Sequence, residues 1–533
     1  MTQKEVSFVK QKNYNAYLTN ILPCIGYGIL TGVLTGGTIF LFKFLAGKAE
    51  HFSRFLYQEA KNSIWTILLV FAALIGLAYL MSLLHKAVPE CKGGGIPRSE
   101  GILRGVLSFR WAKTLLATFF GSMISFFAGL PCGSEGPAVL IGTSIGCMSG
   151  KASRKQIAWN RYVMTGGAGA GFAVATGAPL SGILFALEEI HKRFSPMLVL
   201  TVSMAVLSAT GTNHLLCNAF HMNPALFTLE NLPAFELSHA GYLILLGILI
   251  SIAVAIFDGS ILLFRRFTGR GKKGPVPVKL MVTFVLAGIL CLFLADGTYS
   301  GHHMIVHILE HNTGTLLLLA LFIIRLVMML LVTDSGATGG IFIPTLAIGV
   351  LAAALSNKLL LLLGMPAELS TLMIFLGMCA FIGGTLRAPL TASVLFVELS
   401  GQFTGLFYVA LVVFIVSLIT ELFNQTPFYD KALEEMTEAY HHGKEMKISR
   451  FTLIVSPNDF AIGKAVRDIM WPHASVIESI SHADSDVLEE MDDGEQRLYE
   501  GDRVTIRAAY YGEKEILDIL KGIAGDDVII ESK

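Results

Sequence analysis

Charged residues are scarce in this sequence of 533 residues: Asp, Glu, Lys and Arg make up 15% of it and hydrophobic residues 53%. A soluble protein would contain roughly 25% charged residues. Apolar runs recur between residues 21 and 425, and several of them reach the roughly 20 residues that cross a bilayer. The composition therefore excludes an ordinary soluble protein and predicts a chain that crosses a membrane many times.

Cysteine and the common catalytic motifs are also poorly represented. The seven cysteines are scattered through apolar segments, without a CxxC pair or a metal-ligand spacing. They are interpreted as small buried side chains, and neither a metal nor another cofactor is expected. The 40 basic and 40 acidic residues cancel, and no nucleic-acid partner is indicated. An intramembrane hydrolase is disfavoured because the sequence has no HExxH, so the protein is not predicted to be an enzyme.

Lys and Arg are distributed unevenly along the chain. They are absent from residues 194–264 and 280–324. They cluster in four segments, at 86–113, 151–161, 192–193 and 265–279. Basic segments next to membrane spans usually face the cytoplasm, and the polar N-terminus has no apolar core followed by a cleavage site. We therefore expect a multi-pass protein of the cell membrane, embedded in the lipid bilayer, with both termini in the cytoplasm.

Two sequence patterns occur twice. The segment "GSEGP" at 133–137 returns as "GIFIP" at 340–344, and "APLS" at 178–181 returns as "APLT" at 388–391. Because both patterns return at nearly the same offset, they indicate an internal duplication.

The two copies are predicted to have opposite orientations in the membrane. The first half, about residues 20–213, begins at the cytoplasmic N-terminus. The second, about 240–430, follows a segment that is expected to lie outside. Inverted halves are common in transporters, which bind their substrates where broken helices meet at the middle of the membrane.

The glycines and prolines of the repeated motif predict helices that begin inside the membrane. Pro137 suits the first turn of a helix, so a helix is predicted to start near Gly136. Phe342 and Pro344 predict the matching helix in the other half. Each helix N-terminus carries free N–H groups and the positive end of a dipole. Two such ends that meet form an anion site without any full positive charge.

Several glutamates lie within or next to apolar segments. An ionisable residue inside a membrane is a functional candidate by default. When charged, Glu135 would mimic a bound anion and block the path; when protonated, it would swing away. Glu188 and Glu189 end the segment "SGILFALEE", where a solvated helix end and a functional role both fit. Glu398 is interpreted as a structural polar contact.

These residues together resemble the CLC family of chloride channels and proton-coupled chloride antiporters over residues 20–440. "GGGIP" at 93–97, "GSEGP", "GGIFIP" at 339–344 and "PFY" at 427–429 are similar, in family order, to its three filter motifs and its tyrosine motif. The resemblance implies an all-α polytopic membrane domain, residues 1–440, built as an inverted repeat of broken helices. It also implies a homodimer with one pathway in each subunit.

The resemblance implies a role for each matching residue. Glu135 is similar to the external gating glutamate of the family. Glu189 is similar to the internal proton relay of the antiporters, and Glu100 to an acid near that relay. The implied anion-binding residues are Gly94, Gly95, Ile96, Ser134, Gly136, Ile341, Phe342 and Tyr429.

Two positions depart from the family pattern. Gly94 stands where the family usually has a serine whose hydroxyl contacts the central anion, a position linked to selectivity among anions. Ser134 stands where arginine or lysine is frequent. The choice among chloride, nitrate and fluoride is therefore open.

The C-terminal segment differs in composition from the rest of the chain. A charged helix is predicted in "DKALEEMTEAYHHGKEMK", and residues 448–533 have the pattern of a small α+β domain. "RFTLIVS" and "RVTIRAAYY" predict strands, and "EKEILDILKGIAG" predicts a helix. This domain resembles the TrkA-C (RCK_C) domain of potassium-transport regulators. The resemblance implies a cytoplasmic regulatory domain that either only dimerises or also binds a small molecule or nucleotide such as cyclic di-AMP.

The sequence predicts secondary active transport of chloride, or of nitrate or another small anion, in exchange for protons. Chloride and protons are then transported ions, not cofactors. A passive voltage- or ligand-gated chloride channel on the same fold is an alternative, because fold alone does not fix function. A fluoride/proton antiporter is another alternative. Tyr429 and the chloride-type "GGIFIP" argue against it, whereas Gly94 leaves room for it.

Overall fold

The chain folds into a large helical part followed by a small sheet. The computed structural model describes residues 3–152, 157–224, 233, 239–268, 275–423, 426–457, 459–472, 474–483, 488–490 and 494–531. The helices of the first half are α1 (Gln3–Ala60), α2 (Ile64–Ala87), α3 (Gly95–Arg104), α4 (Trp111–Phe127), α5 (Glu135–Ala152), α6 (Ile157–Thr176), α7 (Pro179–Phe185), which continues as a π-helical turn (Ala186–His191), and α8 (Pro196–Ala219).

The second half repeats the alternation of long and short helices. Its helices are α9 (Ala240–Thr268), α10 (Val276–Phe293), α11 (His302–Glu310), α12 (Thr315–Ser335), α13 (Phe342–Leu362), α14 (Ser370–Leu386), α15 (Pro389–Ser400), α16 (Leu406–Leu422) and α17 (Phe428–Tyr440). The C-terminal elements are β1 (Lys447–Ile454), β2 (Ser475–Ser481), β3 (Leu488–Glu490), β4 (Arg503–Tyr510), α18 (Glu513–Ala524) and β5 (Val528–Glu531).

The long helices have the dimensions of membrane spans. Within the described part of the chain, nine helices are long and apolar enough to cross a membrane. Their outward faces expose large apolar side chains such as Trp65, Leu215 and Leu316, which water would not favour but lipid does. The predicted multi-pass membrane protein is therefore confirmed.

The two halves cap each other's short helices. The Glu188 carboxylate accepts hydrogen bonds from the backbone N–H of Leu390 (3.0 Å) and Thr391 (2.8 Å), at the start of α15. Glu398 does the same at the start of α7, where Leu180 N–H (2.7 Å) and Ser181 N–H (2.8 Å) donate to it. Each acid neutralises the positive end of a helix in the other half. Glu398 is thus the structural contact that was predicted, whereas the solvated-end interpretation of Glu188 is wrong.

Loss of one of these caps is expected to destabilise the protein. Replacing Glu188 or Glu398 with alanine leaves two backbone N–H groups and one hydroxyl without their acceptor. The free energy of unfolding should fall by about 2 kcal/mol in each variant. Thermal unfolding in detergent measures the change.

The control for this prediction is Glu421→Ala. It removes a surface ion pair with Arg387 (2.7 Å) in which Glu421 is largely exposed, so its cost should stay below about 1 kcal/mol. Equal unfolding midpoints for all three variants would contradict the capping role.

The C-terminal elements form one antiparallel five-stranded sheet with the order β3-β2-β4-β1-β5. In the centre of the sheet, Phe451 pairs with Ile506, and both side chains are buried. Helix α18 buries Ile516 and Leu520 and ends before Gly525, whose φ is +98°. Both predicted strands and the predicted helix are confirmed. The TrkA-C likeness and the domain limits at 440 and 448 stay predictions.

The sheet region is attached to the helical part by buried polar and aromatic contacts. The Arg161 guanidinium donates to the Leu103 carbonyl at the end of α3 (2.8 Å) and to the Met470 carbonyl (2.9 Å). The Trp159 ring meets Phe460 edge-on, with ring centroids 5.3 Å apart. The C-terminal region therefore rests directly on helices of the first half.

Candidate functional site

The two repeated motifs meet in the interior of the helical part. Gly133 and Gly340 form an isolated antiparallel bridge, in which Gly133 N–H donates to Gly340 O (2.7 Å) and Gly340 N–H to Gly133 O (2.9 Å). Helices α5 and α13 each begin two residues after this bridge, at Glu135 and Phe342. The positive ends of two helix dipoles therefore lie side by side.

The first motif adds a third helix N-terminus to this junction. Helix α3 begins at Gly95, where an added Cβ would lie only 2.0 Å from the Gly136 carbonyl oxygen. Gly94 precedes it in an extended conformation, beside Gly339 and Ile341, and Ile96 is buried. Three chain segments therefore approach so closely that only glycine fits at position 95.

Glu135 lies at this junction and is almost completely buried, with 1% of its surface exposed. Ser134 Oγ donates to its Oε1 (3.0 Å). Its Oε2 folds back over Gly133, where a Cβ would be only 2.3 Å away. The ammonium group of Lys43 in α1 interacts electrostatically with this carboxyl, whereas Oε2 has no hydrogen-bond partner among the described residues. The carboxyl thus lies at the paired helix ends, where the helix dipoles would also favour an anion.

Aromatic side chains line the inner side of the junction. The Phe342 ring meets Phe172 edge-on, with centroids 5.0 Å apart. Tyr429 follows the start of α17 and is buried. It lies close enough to interact electrostatically with Glu135, Glu189 and Glu100. The structure therefore brings the predicted tyrosine near both predicted proton-carrying acids, Glu135 and Glu189.

Glu189 lies in the π-helical turn Ala186–His191, with 2% of its surface exposed. π-Helical turns are rare in proteins overall, and those that occur are often found at functional sites. Its Oε1 has no hydrogen-bond partner within the described residues. Burying a carboxyl oxygen without a hydrogen-bond partner costs free energy. This cost favours a functional role for Glu189 over a solvated helix end.

Glu100 belongs to a cluster of four charges next to Glu189. Glu100 is fully buried and pairs with Arg104 (2.5 Å) and Lys192 (3.4 Å). Asp430 pairs with the same two cations, at 3.6 Å from Arg104 and 2.6 Å from Lys192. Sequence reasoning found Glu100 and missed the other three members. The spacing of four between Glu100 and Arg104 was a readable signal, but nothing local connects Lys192 or Asp430 to them.

A cavity of about 480 Å³ leads to the junction, and we call it the motif cavity. Its inner wall contains Gly94, Gly339 and Ile341. Its lining also contains three cations, Lys92, Arg98 and Arg265, and two acids, Asp334 and Glu435, so that cations are in excess. Glu435 is paired with Arg265 (3.0 Å). Cations along a cleft raise the local concentration of anions, so the motif cavity fits the approach of a small anion.

Comparison with known proteins agrees with the family resemblance of the sequence motifs. The voltage gated chloride channel family matches residues 78–421. The H(+)/Cl(-) exchange transporter ClcA of Vibrio cholerae serotype O1 is 32% identical over 363 residues, which cover 66% of this chain and 76% of that protein. ClcA of Salmonella paratyphi B is 30% identical over 388 residues, or 71% of this chain and 81% of the relative.

A solved structure extends the likeness to the fold. The crystal structure of a slow cyanobacterial Cl-/H+ antiporter aligns with a TM-score of 0.73 at 27% identity, covering 78% of this chain and 98% of that one. The predicted inverted-repeat membrane fold is therefore confirmed, and this chain belongs to the voltage gated chloride channel family, the CLC family.

Proposed function

We propose that this protein exchanges chloride for protons across the cell membrane, with Glu135 as the gate and Glu189 as the internal proton relay. One observation carries the proposal: the buried Glu135 carboxyl lies against Gly133, where the bridged N-termini of α5 and α13 favour an anion. The relatives from Vibrio cholerae and Salmonella paratyphi B are H(+)/Cl(-) exchange transporters, which supports the choice of ions.

The proposed coupling is a competition for one site. When Glu135 is ionised, its carboxylate takes the helix-end N–H groups that an anion needs. When it is protonated, that attraction is lost and an anion can enter. Proton binding and anion binding therefore affect each other through a shared free energy. In this proposal the proton continues to Glu189, and the electrostatic interactions of Tyr429 with both Glu135 and Glu189 support a route between the two acids.

The assembly and orientation are part of the same proposal. We propose a homodimer with one pathway in each subunit, with both termini and the C-terminal sheet region in the cytoplasm. Lys92, Arg98 and Arg265 in the lining of the motif cavity support this orientation, because Lys and Arg next to membrane spans usually face the cytoplasm.

Flux measurements in proteoliposomes test the proposal. Vesicles loaded with chloride are diluted into low chloride, the voltage is clamped with valinomycin and potassium, and the external pH is recorded. Exchange predicts that chloride efflux drives protons into the vesicles and that the external pH rises. Chloride efflux without proton movement would identify a passive channel. Absence of any anion flux would overturn both the exchanger and the channel hypothesis.

Gly94 provides a test of anion selectivity. Around this residue an added Cβ meets its nearest neighbours at 3.8 and 3.9 Å, and its backbone is extended. Gly94→Ser should therefore fold and add a hydroxyl donor beside Ile341. We expect the preference for chloride over nitrate to increase a few-fold to about tenfold, the effect of one net hydrogen bond. Competing uptake of the two anions into proteoliposomes measures it.

The neighbouring glycine is the matched control for this substitution. Gly95→Ala places a methyl group 2.0 Å from the Gly136 carbonyl oxygen, so this variant should lose transport or fail to fold. An unchanged chloride-to-nitrate ratio in Gly94→Ser would show that position 94 does not select the anion. A fully active Gly95→Ala would show that the three helix ends are not held as described.

A further inference from the structure

A second cavity, of about 560 Å³, lies between α3, α17 and the C-terminal sheet region, and we call it the interdomain cavity. It differs from the motif cavity in charge. The carboxylates on its lining are Asp430, Glu434 and Glu438 of α17 and Glu515 of α18. Its two cations, Arg104 and Lys192, are already paired with Glu100 and Asp430. The interdomain cavity therefore presents a surplus of negative charge.

Helix α17 separates the two cavities, and its sequence places different residues on its two sides. Asp430, Glu434 and Glu438 recur every four residues and lie on one face, towards the interdomain cavity. Ala432, Glu435 and Met436 lie on the other face, in the wall of the motif cavity, where the Glu435 carboxylate is paired with Arg265 (3.0 Å). The acidic face repels anions and attracts protons, whereas the cations of the motif cavity do the reverse. The helix thus divides two approaches suited to ions of opposite charge.

The acidic face leads from solvent towards Glu189. Glu434 and Glu438 are exposed, and Asp430 has 24% of its side chain exposed. Asp430 contacts Lys192, which contacts the buried Glu100. Glu189 in turn interacts electrostatically with Lys192, Glu100 and Asp430. Glu189 interacts electrostatically with three acids, Glu100, Asp430 and Glu188. Among these three, Asp430 is the one that lines the interdomain cavity, and it also pairs with both cations of the cluster.

We propose that the interdomain cavity is the entrance through which protons reach Glu189, and that Asp430 passes them between the water of this cavity and the Glu100–Glu189 pair. This proposal rests on the proposed exchange of chloride for protons. A proton from water binds an Asp430 carboxylate oxygen and then moves to Glu100 or Glu189, which leaves Asp430 ionised again. No other bond changes, and Arg104 and Lys192 keep the acids close together by compensating their charge.

The C-terminal region completes this entrance. Tyr510, Tyr511 and Glu515 form its outer wall. The Tyr511 ring stacks on His441 with centroids 4.1 Å apart, and His441 Nε2 lies 2.8 Å from the Val106 carbonyl oxygen. The sheet region therefore borders the proposed proton entrance, whereas the motif cavity has no lining residue from it among the residues described.

Two sets of variants of the full chain test the proposal in the same proteoliposomes. Asp430→Asn, and separately Glu434→Gln combined with Glu438→Gln, are expected to lower proton flux relative to chloride flux. The reduction for Asp430→Asn should be about tenfold or more, which is the lower end of what focusing of ions by a charged cleft provides. Asp518→Asn on the exposed outer side of α18 is the matched control and should keep the wild-type ratio.

Rescue separates proton delivery from a structural defect. A high concentration of imidazole, a small mobile proton carrier, should restore proton flux in Asp430→Asn and in the Glu434/Glu438 double variant. Asp430→Glu should retain flux without imidazole. Wild-type proton-to-chloride ratios in both sets, or losses that imidazole does not restore, would overturn the proposal. If the wild type itself moved no protons, the exchange function would fail first and this inference with it.

Discussion

Proteoliposomes that contain the Glu135→Gln variant are expected to release chloride while their proton flux falls by roughly 100-fold or more, the loss typical of removing a positioned proton-transfer group. Glutamine keeps the shape of the side chain and cannot take up or release a proton. It also lacks the negative charge with which Glu135 competes for the helix N–H groups. The anion path should therefore stay open without its link to protons.

The site geometry explains why this single side chain should have so large an effect. Glu135 is the only acid at the junction of α3, α5 and α13 within the described residues, and its carboxyl lies against the Gly133–Gly340 bridge. In the part of the chain that the structure describes, no carboxylate next to Glu135 is placed to take over its proton. The external pH trace after a chloride gradient is imposed, under the same voltage clamp, measures the loss.

The control for Glu135 is Glu398→Gln. This change also neutralises an acid of the membrane part, but that acid caps α7. It should lower stability and keep the proton-to-chloride ratio. If Glu135→Gln and Glu135→Ala both retained wild-type coupling, Glu135 would not be the gate.

Patterns confined to one segment were sufficient to predict the elements of this fold. Pro137 predicted the start of α5 to within one residue, and α13 begins at Phe342, one of the two residues that predicted the matching helix tip. The alternating strand pattern and the final glycine likewise predicted β1, β4 and α18. These features depend on local rules, such as the fixed φ of proline and the side-chain period of a strand.

Features that depend on distant residues could not be predicted. An acid at the end of a helix, such as Glu188, is locally unfavourable, and only the arrival of α15 from the other half makes it a cap. The charge cluster joins Glu100 to Asp430, which lies in a different half of the chain. The sequence indicated the two helix ends of the anion site, but the direct bridge between Gly133 and Gly340 required the three-dimensional fold.

Glu189→Ala is expected to produce the second large effect, a loss of chloride-driven proton flux of roughly 100-fold or more with anion flux retained. The reason differs from that for Glu135. Glu189 lies away from the bridge between the helix tips and next to the Glu100 cluster, so its removal should leave the anion site intact. It would interrupt only the route by which protons reach Tyr429 and Glu135.

The adjacent acid makes this prediction specific. Glu188→Gln alters a carboxylate one residue away that points to the start of α15, so it should reduce stability but leave the proton-to-chloride ratio unchanged. A general defect of the π-helical turn would lower both ion fluxes in both variants. Selective loss of proton flux in Glu189→Ala alone is the result that only a proton relay explains. Proton flux at the wild-type level in that variant would instead make Glu189 a structural residue, and the proton route would have to reach Glu135 without it.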